Sequence, residues 1–128
     1  MSMYTHVTLG TNDLAKGRDF YDAVLATLGI TRFREIENAA CFWRSESGQM
    51  FILCRPRDGN PATVGNGVTI GFAAATRAAV HAFHEAGLKA GGSDEGAPGP
   101  RDFAPNAYAA YLRDPDGNKI TALCMAAE

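Results

Sequence analysis

Cysteine, basic charge and long apolar runs are all scarce in this 128-residue chain, and each shortage excludes a class of protein. The three cysteines form no C-x-x-C pair, so we expect neither a zinc knuckle nor a dithiol redox site. They lie in strand-like segments, which predicts buried free thiols and a reducing, cytoplasmic location. The net charge of −2 offers no basic surface for nucleic acid or an anionic membrane. No apolar run reaches the roughly 18 residues that a bilayer span needs, and Met1–Tyr4 does not resemble a signal peptide.

An internal repeat is the most informative feature that the sequence does contain. The segment T-H-V-T-L at Thr5–Leu9 and the segment V-T-I-G-F at Val68–Phe72 each precede a helix-like segment. The offset between the copies is about 63 residues, as from Phe20 to Phe83, and it grows to about 69 residues at their ends. A repeat of this length predicts one supersecondary unit used twice.

The first copy, about residues 1–55, predicts one helix and four strands. Asn12 or Asp13 can cap the helix, and Gly29, which tolerates positive φ, ends it. The predicted strands follow the alternation of side chains and lie at Tyr4–Leu9, Thr31–Glu37, Ala40–Ser45 and Gln49–Arg55.

The second copy, about residues 68–128, follows a linker of about residues 56–67 that is rich in proline and glycine. It predicts a strand at Val68–Ala73 and a helix from a Thr76 cap to about Ala86. The segment Lys89–Pro105 is predicted as a long functional or mobile loop, which hides one strand of the repeat. A closing hairpin is predicted at Ala107–Arg113 and Asn118–Met125. The two copies together predict a single α+β domain.

Three stretches make the chain resemble the vicinal oxygen chelate superfamily, which includes glyoxalase I, bleomycin- and fosfomycin-resistance proteins and extradiol dioxygenases. They are HVTLGTNDLAKGRDFYDAVLATLGI from His6, NGVTIGFAA from Asn66 and YAAYLRDPDGNKITALC from Tyr108. The resemblance implies two βαβββ modules that form a curved mixed sheet with the helices outside. It also implies a homodimer, with metal ligands on the first and last strand of each module.

The ligand positions that the resemblance implies are occupied here by His6, Ile52, Thr69 and Thr121. Family members usually carry His at the position of Thr69 and Glu at that of Thr121, with Glu or Gln at that of Ile52. One imidazole and two neutral hydroxyls cannot replace two imidazoles and two carboxylates around a divalent ion. We therefore expect no complete metal site and no cofactor, and ordinary glyoxalase I or extradiol dioxygenase chemistry would lack its ion.

Three polar side chains are candidate contacts for a small molecule in the cleft. His6 can bind a ligand or act as a general base, or its ring can simply hydrogen-bond to a neighbouring threonine. Thr69 and Thr121 can donate hydrogen bonds to a substrate, or they can be β-branched residues that fill a pleated face.

Two aromatic residues and one loop complete the candidate set. Trp43 and Tyr111 lie about 68 residues apart at equivalent places in the repeat. They can line the cleft, with Phe42 and Leu112 turned to the helices, or they can pack in the core. Arg101, with Asp102 and Arg113, can hold an anionic substrate or form surface ion pairs.

Three functions follow from these observations. The first is a protein that binds or processes a small apolar or aromatic molecule between Trp43, Tyr111, His6, Thr69 and Thr121, with most of the usual metal site lost. The second is a metal-dependent lyase or dioxygenase in which His6 is joined by loop residues such as Asp94, Glu95 or Asp102, or by a partner subunit, around Zn, Ni, Mn or Fe. The third is a non-catalytic interaction module. We expect a small-molecule ligand and a homodimer, with no nucleic-acid or membrane partner.

Overall fold

Two β-α-β-β-β modules make up the computed structural model of the chain, which describes residues 2–128. Module 1 consists of β1 (His6–Gly10), α1 (Leu14–Ala26), β2 (Thr31–Ile36), β3 (Ala40–Arg44) and β4 (Met50–Cys54). Module 2 consists of β5 (Ile70–Ala73), α2 (Arg77–Lys89), β6 (Ser93–Pro100), β7 (Tyr108–Arg113) and β8 (Lys119–Cys124). The α+β class and the duplicated plan are therefore confirmed.

The strands form two four-stranded sheets with the same topology. Their orders are β1-β4-β3-β2 and β5-β8-β7-β6, and the first strand of each module runs parallel to the last. The registers fix the alignment of the repeat, because Thr8 pairs with Ile52 in module 1 and Gly71 pairs with Thr121 in module 2. Both helices cover the same face of their sheets, and the opposite sheet faces point away from them.

Both helices begin at the caps that the sequence predicts. The side chain of Asp13 accepts a hydrogen bond from the Lys16 amide, and that of Thr76 accepts one from the Ala79 amide. Helix α1 ends at Ala26, and Gly29 takes a φ of +75° in the turn that follows. Helix α2 runs on to Lys89, about one turn past the predicted end.

The strand that the repeat predicts within the Lys89–Pro105 loop is β6, whose position the sequence pattern did not locate. Strand β6 occupies Ser93–Pro100 within the predicted Lys89–Pro105 loop, at the edge of the module 2 sheet. Its sequence, SDEGAPGP, has no alternation of apolar and polar residues, and its register against β7 shifts twice. An edge strand pairs on one side only and so tolerates proline and glycine, which explains why the pattern was not recognisable.

One hydrophobic core joins the two modules. The fully buried Phe20, Val24 and Leu25 of α1 pack with Val80 and Phe83 of α2 and with the helix-facing residues of both sheets. Between the sheets, the rings of Phe51 and Phe72 meet edge-on, with centroids 5.5 Å apart. Neither module could bury these apolar surfaces alone. No helix in the described part of the chain has the length and hydropathy to cross a bilayer.

A buried polar cluster, which we call the lock, also joins the modules. It consists of the turn Asp114–Asn118 of module 2 and residues Gly10–Asn12 and Tyr21 of module 1. Asp114 is 4% exposed and accepts hydrogen bonds from the Tyr21 hydroxyl at 2.6 Å and from the Asn118 side chain at 2.9 Å. Burial, followed by the negative charge of Asp114, raises the pKa of Tyr21 well above its usual value of 10.0.

The other contacts of the lock reach the loop that follows β1. Asp116 accepts a hydrogen bond from the Thr11 hydroxyl at 2.6 Å and another from the Asn12 amide at 2.8 Å. Asn118 donates to the Gly10 carbonyl oxygen at 3.1 Å. The turn motif D-P-D-G-N therefore fixes the relative position of the two modules at this end of the seam between them.

Candidate functional site

The opposite end of the seam holds an open groove instead of a lock. By the registers of the two sheets, Gly10 corresponds to Ala73, and Thr11 and Asn12 correspond to Ala74 and Ala75. The turn Asp114–Asn118 corresponds to Ser45–Gln49 in the same way. Alanine side chains cannot make the hydrogen bonds that threonine and asparagine make in the lock, so this end of the seam is not drawn together by polar contacts.

The groove between Ser45–Phe51 and Thr69–Ala73, which we call the seam groove, has a volume of about 500 Å³. Its base is formed by buried and half-buried apolar side chains: Val7, Leu28, Ile30, Phe51, Ile70 and Phe72. Its rim is polar or exposed and is formed by Tyr4, His6, Ser45, Ser47, Gln49 and Thr69. An apolar cavity of this size with a few polar groups at its mouth is typical of a small-molecule site.

His6 is the rim residue with the most versatile chemistry. It lies exposed on β1, and its Nδ1 atom is 2.9 Å from the Thr5 hydroxyl. In the tautomer that carries hydrogen on Nδ1, the ring donates to Thr5 and leaves the Nε2 lone pair free to accept a proton or a hydrogen bond. The ring can therefore serve as a base or as a polar anchor without any change in the backbone.

Thr69 lies on the opposite side of the groove from His6. It directly precedes β5, is exposed and lines the groove. The side-chain amide nitrogen of Gln49 already donates a hydrogen bond to the Tyr4 carbonyl oxygen at 3.2 Å, which leaves mainly its amide oxygen to contact a ligand. Of the predicted site residues, the structure thus brings His6 and Thr69 to one cavity, and the others lie elsewhere.

The prediction that Trp43 lines the cleft is wrong. Trp43 is fully buried on the helix side of the sheet, where its indole nitrogen donates to Asp22 of α1 at 3.0 Å. Phe42 instead lies on the face turned away from the helix and pairs with Ile52. Because Phe42 and Tyr111 pair with the equivalent residues Ile52 and Thr121, the true offset at this point is one residue larger than assumed. A slip of one residue moves a side chain to the opposite face of a strand.

Tyr111 does lie on the sheet face turned away from α2, but it does not reach the seam groove. Its ring is flanked by the Arg101 guanidinium at 5.4 Å and the Lys119 ammonium at 5.2 Å. Arg101 is itself held by backbone carbonyl oxygens, with hydrogen bonds of 2.9 Å to both Gly99 and Ala97. These hydrogen bonds occupy the Arg101 guanidinium and so argue against the predicted role of Arg101 in binding an anionic substrate.

The residues at the family's metal positions do not fit a metal ion. Thr121 is 7% exposed, and its hydroxyl donates to the Ala110 carbonyl oxygen at 2.8 Å. Ile52 has no donor atom, and Thr69 offers a neutral hydroxyl. Of the four positions, only that of His6 carries an imidazole or a carboxylate. Elsewhere within residues 2–128, no group of three His, Cys, Asp or Glu side chains is placed to hold a metal ion.

The loop carboxylates of the second hypothesis are bound to other partners. Asp94 accepts hydrogen bonds from the His84 ring at 2.8 Å and from the Gly96 amide at 2.9 Å. These contacts, with the His84 bond first, lower the pKa of Asp94. Glu95 pairs with Arg113 at 3.0 Å. Asp102 lies exposed in the turn after β6, and none of the three carboxylates borders the seam groove.

Sequence reasoning missed the apolar base of the groove. Phe51, Leu28 and Phe72 look like ordinary core residues in their own modules, and they form a cavity only where the modules meet. One signal was present in the repeat, because Ala73–Ala75 is apolar where Gly10–Asn12 is polar. Comparison of the two copies at this loop would have indicated that the two ends of the seam differ.

Comparison with known proteins identifies the family. A model of the Glyoxalase/Bleomycin resistance protein/Dioxygenase superfamily matches residues 4–121. A crystal structure of a glyoxalase/bleomycin resistance protein from Albidiferax ferrireducens T118 is 49% identical with a TM-score of 0.88, and the match covers 96% of this chain and 98% of that chain. A comparison with proteins of curated function finds no match.

Two more distant structures share the fold. A glyoxalase-related enzyme from Fulvimarina pelagi is 18% identical with a TM-score of 0.75, and the match covers 97% of this chain and 88% of that chain. A lactoylglutathione lyase from Agrobacterium tumefaciens is 21% identical with a TM-score of 0.70, and the match covers 97% of this chain and 94% of that chain. Because the family model spans residues 4–121 and the structure from Albidiferax ferrireducens T118 is 49% identical, the chain belongs to the glyoxalase/bleomycin resistance protein/dioxygenase superfamily.

Proposed function

We propose that the protein binds, or transforms without a metal ion, a small and largely apolar molecule in the seam groove. The observation that carries the proposal is the composition of the groove, in which an apolar base lies under a rim that includes His6 and Thr69. Burial of an apolar ring or chain on this base supplies affinity, and the few polar rim groups orient the molecule.

The choice of metal-free chemistry rests on the donor atoms at the family's metal positions. An isoleucine and two threonines beside His6 provide neither the negative charge nor the number of ligands that a divalent ion needs. A reaction in this site would depend on His6, which can take up a proton from a ligand bound below it. A carbon acid or a hydroxyl close to the Nε2 atom is the kind of group on which it would act.

The experiment that tests the proposal fills the groove. Thr69→Trp places a large ring at an exposed rim position, and Thr63→Trp adds the same ring at an exposed position of the linker that does not border the groove. A library of neutral aromatic and aliphatic compounds is screened by thermal shift against both variants and the wild type. We expect compounds that raise the Tm of the wild type and of Thr63→Trp to have no effect on Thr69→Trp, because the added indole occupies their site.

Equal binding of every hit by the two variants would place the ligands elsewhere and overturn the proposal. A further comparison with His6→Ala separates anchoring from chemistry. If His6 only anchors the ligand, His6→Ala weakens binding. If His6 is catalytic, His6→Ala abolishes turnover of the bound compound without a matching loss of affinity.

We also propose that the protein is a homodimer. The family resemblance implies it, and the outer strands of both sheets leave backbone groups unpaired on one side. Sedimentation velocity at several protein concentrations tests the proposal, and a species of monomer mass throughout would refute it.

A further inference from the structure

The sheet face of module 1 that points away from α1, which we call the outer face, carries two arginines beside two phenylalanines. The registers arrange its residues in rows across the strands. One row runs from His6 to Met50 and on to Arg44. The next runs from Thr8 through Ile52 and Phe42 to Arg34. His6, at the rim of the seam groove, is therefore two strands away from Arg44.

The arginines of this face are stacked on the aromatic rings. The Arg44 guanidinium carbon lies 4.2 Å from the centre of the Phe33 ring, and that of Arg34 lies 5.4 Å from the centre of the Phe42 ring. The two rings are 6.3 Å apart. A guanidinium that lies over a ring still presents its N–H groups to a carboxylate, which it can bind through two hydrogen bonds.

The two arginines differ from the arginines on the helix side, namely Arg32 of β2 and Arg18 of α1. Arg32 is paired with Asp22 at 3.0 Å, and Arg18 is paired with Asp19 at 3.1 Å. Within residues 2–128, the side chain of neither Arg34 nor Arg44 makes a hydrogen bond or an ion pair. The guanidinium N–H groups of both are thus available to an incoming molecule.

The paired residues of the outer face include two arginines and no carboxylate. Glu35, which lies between the outer-facing Arg34 and Ile36 on β2, pairs with Cys41 and points to the helix side, where it meets Arg18. Among the paired residues of β1, β2, β3 and β4, no Asp or Glu lies on the outer face. An uncompensated positive surface of this kind attracts anions and repels cations.

The outer face is continuous with the seam groove. Met50 lines the groove and pairs directly with Arg44, and Ser45, the residue after Arg44, also lines the groove. Neighbouring strands in a sheet are about 4.8 Å apart, so the backbone of Arg44 is one strand from Met50. Its guanidinium lies further out, over Phe33 of β2, and a ligand must therefore leave the groove at Met50 and extend across β3 to reach it.

We propose that the ligand of this protein is a carboxylate-bearing aromatic or planar molecule whose apolar part lies in the seam groove and whose carboxylate is bound by Arg44 and Arg34. The inference rests on the proposed function, since it names the class of ligand for that groove. Met50 then lies beneath the middle of the bound molecule, and His6 lies at the end that occupies the groove. The same surface disfavours a cationic ligand, because the rows of the outer face contain arginine and no counter-charge.

The test compares 2-naphthoate with 2-naphthamide, which have the same ring system and differ in charge. Binding of each is measured by isothermal titration calorimetry to the wild type, to Arg44→Gln, to Arg34→Gln and to Thr69→Trp. Arg32→Gln is the matched control, because it removes the same charge from the same sheet on its helix side. Circular dichroism and Tm are recorded for every variant, so that a loss of fold is not mistaken for a loss of binding.

We expect naphthoate to bind more tightly than naphthamide, and Arg44→Gln to weaken naphthoate about tenfold, the effect of losing a charge-assisted hydrogen bond. Arg34→Gln should weaken it by a smaller factor, and Arg32→Gln should leave it unchanged. The affinity for naphthamide should be the same in the wild type and in all three arginine variants. Thr69→Trp should abolish binding of both compounds, and raising NaCl from ~50 mM to ~500 mM should weaken naphthoate alone.

The outcomes separate the two proposals. Equal binding of both compounds, unaffected by Arg44→Gln and abolished by Thr69→Trp, overturns the carboxylate inference and leaves the groove as the binding site. Binding that survives Thr69→Trp contradicts the groove itself. Tighter binding of a cationic naphthylmethylamine overturns the inference. So does an outer face covered by a second copy, which would show as no naphthoate binding together with dimers that dissociate in Arg44→Gln.

Discussion

The lock between the modules makes a quantitative prediction for Tyr21→Phe. The substitution removes one hydroxyl, which donates to the buried carboxylate of Asp114 at 2.6 Å, and keeps the ring that packs in the core. A hydrogen bond to a charged group contributes about 1.5–3 kcal/mol to stability. In the variant, the Asp114 carboxylate still accepts three hydrogen bonds, from the amides of Asp116 and Asn118 and from the Asn118 side chain, so its buried charge remains hydrogen-bonded.

We therefore expect a loss of about 2 kcal/mol in the free energy of unfolding, which corresponds to a fall in Tm of about 6–10 °C for a domain of this size. The assay is urea unfolding followed by the fluorescence of Trp43, the only tryptophan in the chain, which is fully buried. Tyr108→Phe is the matched control, because its hydroxyl makes an equally short bond of 2.6 Å to the His81 ring at the surface. A Tyr21→Phe loss no larger than that of Tyr108→Phe, with the m-value unchanged, would refute the assignment of the lock as a stabilising junction.

Two further predictions follow from titrating groups. Burial and Asp114 raise the folded-state pKa of Tyr21 above its usual 10.0, so the contribution of Tyr21 to stability is complete below about pH 10 and is lost as the pH rises through the folded value. The difference in unfolding free energy between wild type and Tyr21→Phe should therefore shrink in urea titrations at alkaline pH. A difference that stays constant with pH would contradict this prediction. Burial and the neighbouring Glu35 raise the pKa of Cys41 to about 12, and Cys124 is buried. We therefore expect both thiols to resist a disulfide reagent at pH 8 in the native protein and to react on unfolding. Rapid labelling of Cys41 in the folded protein, identified by peptide mass spectrometry, would contradict this prediction and show that this part of the sheet opens.

The sequence predicted the modules well because their signals are local. Asp13 and Thr76 cap helices through bonds to amides three residues away, and the apolar stripe of α1 follows the helical period. The bounds of strand β6 were not recognised, because an edge strand of glycine, proline and acidic residues has no such period. The repeat itself carried the topology of module 2, including a strand hidden in the loop.

The site was predicted less well because it depends on register and on the placement of one module against the other. His6 and Thr69 were identified from the first strands, where the offset is unambiguous. Trp43 was misplaced because the offset grows along the copy, and an error of one residue reverses the face of a β-strand. The seam groove involves side chains from both modules, and no pattern within one module encodes how they meet.

The unequal ends of the seam have a chemical consequence. Polar contacts hold the modules together at Asp114–Asn118, while the equivalent turn at Ser45–Gln49 borders open space. The groove end of the seam is therefore joined through apolar packing, such as that of Phe51 against Phe72, and the other end through hydrogen bonds. Two copies of one unit thus meet at two junctions that have become chemically different, and only the junction without polar contacts between its turn and loop leaves room for a small molecule.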